Sequence, residues 1–299
     1  MMAGMYAAIS GLDANQALLN DTANNLANVN TVGYKASSMT FADSLTQVTR
    51  GASGPTKTNG GTNPVQVGLG VQVAATRNEM SEGAFQTTNN PFDVAIEGPG
   101  FLRVGEGEPP AKAPFTAGLP KQVSYTRAGD LTTDQAGFLT TQSGQYVVGR
   151  NAVANETENG TTYAAGEEDS FINIPPGSTN ITIAQDGSVS YTDTNPEDKT
   201  FQERVTAGYI SLATFANQGG LERLGGSMWA QTANSGPAIV GTPATVGYGS
   251  TIGGVLEQSN VDMATEMTNM ITAERGYQSN ARVISTADEM LGTLVSALQ

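Results

Sequence analysis

Apolar side chains recur near the start of the chain at alternating spacings of four and three residues. This period predicts one stripe along an α-helix, because residues three and four apart share a helix face. The helix is expected to end between Asn28 and Gly33, where Asn, β-branched residues and a glycine lower helix propensity. The predicted N-terminal stripe, which we expect to serve self-assembly, consists of Met5, Ile9, Leu12, Gln16, Leu19, Ala23 and Leu26.

A longer stripe with the same alternation occupies the other end of the chain. Ser259-Asn260-Val261-Asp262 matches a capping box, so a helix is expected to begin there. Its length would be roughly 55 Å at 1.5 Å per residue. The predicted C-terminal stripe, also assigned to self-assembly, consists of Met263, Met267, Met270, Glu274, Tyr277, Ala281, Ile284, Asp288, Leu291, Val295 and Leu298.

The two predicted helices must bury their stripes, and the sequence between them has no helical period. We therefore predict that the ends pair in a coiled-coil-like manner and also pack against other molecules. The polar residues Gln16, Glu274 and Asp288 either specify register or simply lie at the solvated rim of the stripes. The methionines that open the C-terminal stripe either form an adaptable surface or fill a core.

Between the two helices the pattern changes from helical to alternating. Residues 34–64 contain Gly, Pro and Asn clusters with little periodicity, which predicts an extended connector. Strict alternation begins at Val65, and short alternating runs separated by turn residues continue to residue 255. Asp186-Gly187 between two such runs indicates a hairpin. Residues 151–169 are small, polar and acidic, so we expect a polar excursion or mobile loop there.

The predicted fold class is therefore α+β. Residues 1–33 and 256–299 would form a helical assembly domain from both termini. Residues 65–255 would form a mostly antiparallel, β-rich outer domain, joined to the helices by the connector. A hydrophobic content of 38% in 299 residues limits the core of this domain, and 36 Gly with 13 Pro favour short strands and turns.

The composition excludes most enzyme and cofactor chemistry. The chain contains no Cys and no His, so it lacks thiolate nucleophiles, sulfur ligands, and the usual general base and metal ligand. No constellation of the remaining residues suggests catalysis, and we predict neither an enzyme nor a cofactor or metal site.

The charge balance and the apolar runs narrow the possible partners. A net charge of -14 repels phosphate backbones, so nucleic acid is not an expected partner. No apolar run approaches the roughly 20 residues that span a bilayer, so membrane insertion is not expected. The first residues lack the basic and apolar regions of a cleaved secretory signal.

Several motifs in these segments resemble those of bacterial flagellar rod and hook proteins. The N-terminal match covers residues 23–35, and the C-terminal match covers residues 259–262, 270–271 and 274–281. Central matches cover residues 63–71, 93–101 and 125–131. Within the terminal motifs, the resemblance assigns family positions to Asn24, Asn25, Asn28, Gly33, Tyr34, Ser259, Asn260, Val261, Arg275 and Asn280.

The resemblance implies a structural axial subunit that polymerises into a helical tube. The helical termini would line the inner tube, and the β domain would face outward. Such a subunit would leave the cytoplasm through the flagellar type III export apparatus without a cleaved signal, and would reside in the hook or basal body. Its implied partners are further copies of itself, rod subunits, the hook cap and the hook-filament junction proteins.

Two members of the family fit the sequence. Residues 257–262 and 275–284 are most similar to the hook protein, which forms a flexible joint that transmits torque. Residues 11–16 and the compact middle are equally similar to the distal rod protein, which forms a rigid drive shaft. We expect a short hook protein, with the distal rod protein as the alternative. A secreted β-rich adhesin or binding module is a further alternative, although it would not need two terminal stripes.

Overall fold

A computed structural model describes residues 2–56, 60–110, 115–157, 160–194 and 203–297. The described part of the chain has one long helix at each end and a β-rich, antiparallel region between them. This arrangement confirms the predicted order of helices and strands. No described helix contains a stretch that is both long and apolar enough to cross a bilayer.

The helices are α1 (Met2–Ala27) and α2 (Met263–Ala297). Helix α1 ends immediately before the predicted stop. Helix α2 begins four residues after Ser259, so the expected capping box is wrong. Asp262 is the cap instead, because its carboxylate accepts hydrogen bonds from the Ala264 amide and the Thr265 hydroxyl, both at 2.9 Å. These hydrogen bonds lower the pKa of the Asp262 carboxyl, and the bond from the Thr265 hydroxyl contributes most.

The described strands are short, apart from two of 12 residues each. They are β1 (Ser37–Asp43), β2 (Thr46–Arg50), β3 (Val65–Gly68), β4 (Val71–Asn78), β5 (Phe85–Thr87), β6 (Val94–Glu97), β7 (Phe101–Gly105), β8 (Val123–Thr126), β9 (Leu131–Thr133), β10 (Leu139–Thr141), β11 (Tyr146–Thr157), β12 (Gly160–Phe171), β13 (Thr179–Ile183), β14 (Ser188–Thr192), β15 (Arg204–Ile210), β16 (Leu212–Thr214), β17 (Glu222–Gly225), β18 (Met228–Ala230), β19 (Ile239–Gly241), β20 (Ser250–Gly253) and β21 (Val255–Glu257).

Thirteen of these strands form one antiparallel sheet, whose main path runs β13-β14-β15-β11-β7-β8-β18-β17. Separate antiparallel pairs join β1 with β4, β2 with β3, β5 with β21, and β6 with β20. The largest buried apolar cluster of the β unit includes aliphatic residues of β6, β7, β11, β14 and β15, among them Val94, Leu102, Val147, Val189 and Ile210. These side chains come from the alternating runs that predicted strands.

The chain divides into two compact units. The helical unit contains residues up to Val29, Ala36–Glu79 and the chain from Val261 onward; the β unit contains Asn30–Lys35 and Met80–Asn260. The predicted extended connector is therefore wrong for residues 37–43 and 46–50, because β1 and β2 pair with β4 and β3 inside the helical unit. The pattern missed β2 because this strand is exposed along its whole length, so no buried face imposes alternation. In β1 a bulge between Thr40 and Phe41 interrupts the alternation. Strands β3 and β4 lie in the alternating run that the sequence predicted from Val65.

The polar excursion expected at residues 151–169 is also not a loop. Residues 151–157 and 160–169 lie in β11 and β12, two strands that pair antiparallel, with Ala152 opposite Ala165 and Arg150 opposite Asp169. Arg103 of β7 forms a two-pronged ion pair with Asp169, at 2.7 and 2.8 Å. Polar residues on both faces of a hairpin hide its period, which explains why the sequence pattern indicated a loop.

Candidate assembly interface and its buried anchor

Helices α1 and α2 run antiparallel within the helical unit, and two glycines let them approach closely. A Cβ atom on Gly11 would lie 2.6 Å from Asn280 Nδ2, and one on Gly276 would lie 2.5 Å from Asn15 Oδ1. Further along α1, Asn25 donates a hydrogen bond of 3.0 Å to Glu266. The order of these three contacts is reversed between the helices, which fixes their antiparallel register.

The face that each helix turns toward the other consists of small and polar residues. Ala8, Ala14, Thr22 and Asn25 are buried on α1, and Ala273 is fully buried on α2. This face is displaced by one residue from the predicted stripes, since Gly11, Asn15 and Thr22 precede Leu12, Gln16 and Ala23. The two ends pair as predicted, but they approach each other most closely at these small residues and not at the apolar stripes. Short side chains form this pairing face because they permit the closest helix approach.

The predicted stripe residues lie beside the pairing face and are mostly accessible. The half-buried members are Met5, Leu12, Leu19, Ala23, Leu26, Met270, Ile284 and Leu291. The exposed members are Ile9, Gln16, Met263, Met267, Glu274, Tyr277, Ala281, Asp288 and Val295. Leu298 lies outside the described residues.

Helix geometry places both stripes on the same side of the pair. One residue corresponds to a rotation of about 100°, and antiparallel helices rotate in opposite senses when viewed along one direction. A displacement of one residue toward the C-terminus in both helices therefore turns both stripes to one side. We call this surface the composite apolar face; its members are Ile9, Leu12, Leu19, Met267, Met270, Tyr277 and Ile284.

The opposite side of α1 is covered by the ribbon of β1 and β4. The Val71 amide donates to Ser10 Oγ at 3.2 Å, and the Ser37 hydroxyl donates to the Asp21 carboxylate. Asn25 extends this contact, since its amide donates to Ser37 O at 2.7 Å and accepts from Ser37 N at 3.0 Å. The ribbon therefore leaves the composite apolar face uncovered.

The remaining residues of the N-terminal motif lie at the end of α1 and in the β unit. The Asn28 side chain donates to Asn24 O at 2.9 Å and to Asn24 Oδ1 at 2.8 Å, which closes the last helical turn. Gly33 has φ +65°, and its amide donates to Glu257 O at 2.9 Å. The Tyr34 ring lies 4.9 Å from the Arg223 guanidinium.

Arg223 is held between two aromatic rings of the β unit. Its guanidinium lies 5.0 Å from the ring of Trp229, on β18, as well as close to Tyr34. It also donates to Tyr34 Oη at 3.2 Å and to Lys35 O. Cation–π contacts of this kind gain strength when the cation is partly desolvated. Arg223 thus fastens residues 34 and 35 to the sheet.

Next to this contact, Lys35, Glu257 and Arg127 form a buried ion cluster. Lys35 Nζ lies 2.6 Å from Glu257 Oε1, and Arg127 Nη1 lies 3.3 Å from Glu257 Oε2. Lys35 also donates to Ser81 O at 2.7 Å. All three side chains are at most 4% exposed. Burial lowers the pKa of Lys35, an effect that the hydrogen bond and charge of Glu257 oppose.

The C-terminal motif is divided between the two units. Asn260 donates to Ser81 Oγ at 3.0 Å and to Ser81 O at 3.2 Å in the β unit. Ser259 and Val261 are half-buried before α2, whereas Arg275 is exposed on it. Asn280 lies on the pairing face. The motif positions therefore serve local packing at several places and do not form a single pocket.

The sequence pattern did not single out the ion cluster. Lys35, Arg127 and Glu257 are far apart in the sequence, and each lies within or beside a different motif of the family resemblance. That placement was the one feature of the sequence that could have pointed to these three residues. No group of three His, Cys, Asp or Glu side chains among the described residues is arranged to hold a metal ion.

Three segments of the chain match family models of flagellar proteins. Residues 5–35 match "Flagella basal body rod protein", residues 95–191 match "Flagellar hook protein FlgE/F/G D1 domain", and residues 252–297 match "Flagellar basal body rod FlgEFG protein C-terminal". The chain is 37% identical to the flagellar basal-body rod protein FlgG of Bacillus subtilis, over 99% of each chain. The chain belongs to the flagellar basal-body rod and hook family.

Other relatives in the family include both rod and hook proteins. The rod protein FlgG of Agrobacterium fabrum is 36% identical over 97% of each chain. The hook protein FlgE of Borreliella burgdorferi is 26% identical over an alignment of 438 positions, gaps included, which covers 99% of each chain. Membership confirms the resemblance in the sequence: the chain is a structural component of the flagellar rod and hook assembly, and not an enzyme.

Proposed function

We propose that this chain is a distal-rod subunit that polymerises into the rigid shaft of the flagellum. The end-to-end similarity to rod proteins of nearly the same length carries this proposal. Within Borreliella burgdorferi the rod protein FlgG is 34% identical to the chain, against 26% for the hook protein, whose alignment extends over 438 positions, gaps included. These relatives favour the alternative over the hook protein that the terminal motifs suggested.

The composite apolar face supports a role in coiled-coil-like polymerisation. Ile9, Met267 and Tyr277 are 44%, 48% and 41% exposed on the single chain. Because the helix pair is already closed by its small residues, this face is available for helices of neighbouring copies. Burial of such side chains typically contributes about 1.5–3 kcal/mol each, so a few of them supply a substantial part of an interface.

The two exposed strand pairs, β1 with β4 and β2 with β3, support a stiff coupling between neighbouring copies. Leu45 is 78% exposed and Val48 is 55% exposed in this region. A two-stranded ribbon is marginally stable alone in water. We therefore propose that neighbouring copies cover it, and that this contact limits bending of the shaft.

The proposed partners are further copies of the chain and the rod and hook subunits adjoining the distal rod. Delivery through the flagellar type III export apparatus belongs to the same proposal. The family resemblance also implies the hook cap and the hook-filament junction proteins as partners, and the present proposal does not include them.

Electron microscopy of cells that lack this protein tests the position of the subunit. A distal-rod subunit predicts basal bodies with truncated rods and no hooks. Complete rods that lack hooks would instead identify a hook protein and overturn the proposal. Complementation with the parent chain should restore full-length rods.

Paired substitutions on α2 test the assembly face. Met267→Asp with Tyr277→Asp should abolish polymerisation, because two carboxylates would have to be desolvated in an apolar interface. Thr268→Asp with Ser279→Asp adds the same charge on exposed positions outside the face and is the matched control. Trp229 fluorescence should first show that the β unit is folded in both variants. Normal rods with Met267→Asp and Tyr277→Asp would then contradict the proposal.

A further inference from the structure

A small pocket opens in the β unit where four segments meet, and Asp130 forms part of its lining. The segments are the residues after α1, the loop after β8, the β10–β11 turn and the β17–β18 turn. The pocket has a volume of about 290 Å³, just below the roughly 300–1,000 Å³ of small-molecule sites, so it suits a single side chain. Its lining combines apolar and polar groups, among them Val32, Ala128, Met228, Thr31, Ser143 and Asp130.

Tight turns hold the rim of this pocket in place. The Gly144 amide donates to Thr141 O at 2.9 Å and closes the β10–β11 turn. On the other rim Ser227 has φ +58°, which is uncommon for a residue with a side chain. The Thr126 hydroxyl donates to Ser227 O at 2.9 Å, and the Ser227 hydroxyl donates to Val32 O at 3.4 Å. Such backbone conformations persist where the surroundings hold them, often at binding sites. The pocket is therefore already formed in the single chain.

The carboxyl group of Asp130 lacks a cationic partner in its own chain. Among the described residues no Lys or Arg side chain forms an ion pair with it. Burial, and to a smaller degree the charge of Asp93, raises the pKa of Asp130. The ionised carboxylate is thus unfavourable in the free subunit at neutral pH, and a cation entering the pocket would remove that cost. Carboxyl groups of this kind in a pocket are candidates for binding sites.

The helical unit contains exposed cations that could fill such a pocket in another copy. Its guanidinium groups without a hydrogen bond or ion pair among the described residues are those of Arg50, Arg77, Arg275 and Arg282. Arg50 ends β2, which is exposed at every residue, as is its partner β3. Arg77 belongs to β4, which lies against α1. The side chain of Arg50 therefore has the greater freedom to reach another molecule.

We propose that the Asp130 pocket binds the Arg50 side chain of a second copy in the polymer. The methylene groups of the arginine lie along Val32, Ala128 and Met228, and its guanidinium pairs with the carboxylate and the hydroxyl oxygens of the rim. The contact joins the helical unit of one copy to the β unit of the next. It rests on the proposed polymerisation and applies equally to a rod and to a hook.

Asp130→Asn separates stability from assembly, because it keeps the shape of the side chain and removes its charge. Urea unfolding at neutral pH, followed by the fluorescence of Trp229, should show a variant no less stable than the parent. In cells that lack the protein, electron microscopy should nevertheless show loss of the full-length polymer that the parent restores. The arginine then has to enter the pocket without a counter-charge.

Glu222→Gln is the matched control, since it removes a carboxylate at an exposed position on β17. It should leave both stability and polymer unchanged. A carboxylate with a purely structural role would lose stability and assembly together when it is replaced. That result, or full-length polymer with Asp130→Asn, would overturn the proposal.

Charge exchange identifies the arginine. Asp130→Arg and Arg50→Asp should each block assembly, because like charges then meet in the contact. The two changes together should restore the polymer. Asp130→Arg with Arg77→Asp, which moves the reversed charge to the other exposed strand pair, is the matched control and should not. Restoration by this control, or by neither pair of folded variants, would overturn the proposal.

A double-mutant cycle covers the case in which Asp130→Arg does not fold. Asp130→Asn and Arg50→Gln should each reduce the number of full-length polymers, and the two together should be no worse than Asp130→Asn alone. Losses that simply add would show that the two side chains act independently and would overturn the proposal.

The outcomes also separate this contact from the proposed helix interface. Normal polymer with Met267→Asp and Tyr277→Asp would contradict the composite apolar face and leave the result of charge exchange unaffected. Failed charge exchange, with polymer lost as expected in the helix variant, would overturn the pocket contact alone.

Discussion

At the residue scale, Gly33 shows why one position of the N-terminal motif admits only glycine. Its φ of +65° is unfavourable for other residues, and a Cβ atom there would lie 2.5 Å from Ala128 N and 2.6 Å from Arg127 C. Both atoms belong to the backbone and cannot move aside as a side chain could. The close approach lets the Gly33 amide reach Glu257 O, beside the ion cluster.

Gly33→Ala should therefore destabilise the β unit by more than about 3 kcal/mol, because backbone strain and a backbone clash combine. Gly144→Ala is the matched control, since Gly144 has φ +81° but no atom within 4 Å of its Cβ position. That change should cost only about 1–2 kcal/mol of strain. Urea unfolding of both variants measures the difference, and equal losses would contradict the clash.

The half-buried carboxyl group of Asp130 should make the stability of the β unit depend on pH. Burial, with a smaller contribution from the charge of Asp93, raises the pKa of Asp130 above its ordinary value of 3.8. The folded state therefore holds this proton more tightly than the unfolded chain does. The stability that Asp130 contributes is complete below pH 3.8 and is lost as the pH rises through the folded-state pKa.

Asp130→Asn should remove this loss and make the protein more stable than the parent at neutral pH. The advantage should shrink as the pH falls toward the ordinary carboxyl value. Thermal unfolding of parent and variant across this range measures the effect. A stability difference that is independent of pH would contradict it.

At the scale of elements, the sequence predicted the helices and the alternating strands but not the register of the helix pair. Periodicity identifies an apolar stripe, yet it does not say whether that stripe faces the partner helix or another molecule. Gly11 and Gly276 decide the question, because their missing side chains permit the close approach. Strands β1 and β2 and the polar parts of β11 and β12 were missed because their alternation is weak.

The absence of cysteine allows a clean test of the helix register. In the assembled polymer, Asn15→Cys with Gly276→Cys should form a disulfide within one chain under mild oxidation, because these positions face each other. Gln16→Cys with Tyr277→Cys, displaced by one residue in each helix onto the predicted stripes, should not. Gel mobility with and without reductant distinguishes the two variants. Cross-linking of the second variant alone would restore the stripes as the pairing seam.

At the scale of the whole molecule, the helical unit buries little apolar surface. The side chains that close α1 against α2 are mostly Ala, Gly, Thr and Asn, and the larger apolar residues remain half-buried or exposed. Such a pair gains little from burial compared with the entropy lost on ordering two long helices. Stability of this unit must then depend on contacts with other copies.

We therefore predict that both ends are largely disordered in the free monomer and become helical on assembly. Circular dichroism of a dilute, confirmed monomer should show mainly β structure, and helical signal should grow with polymerisation. Strong helical signal from the monomer would contradict the prediction. The full chain supplies both spectra, one as dilute monomer and one after polymerisation, so no separate fragment is needed.

The sequence by itself determined where the helices and most core strands lie, since these follow from periods of 3.6 and 2 that any buried face imposes. The family motifs also identified the chain as a structural flagellar subunit. Only the tertiary structure decided which helix faces meet and that Lys35, Arg127 and Glu257 share one buried site. Close approach between helices and charge pairing across distant segments depend on three-dimensional distances, which leave no periodic trace along the chain.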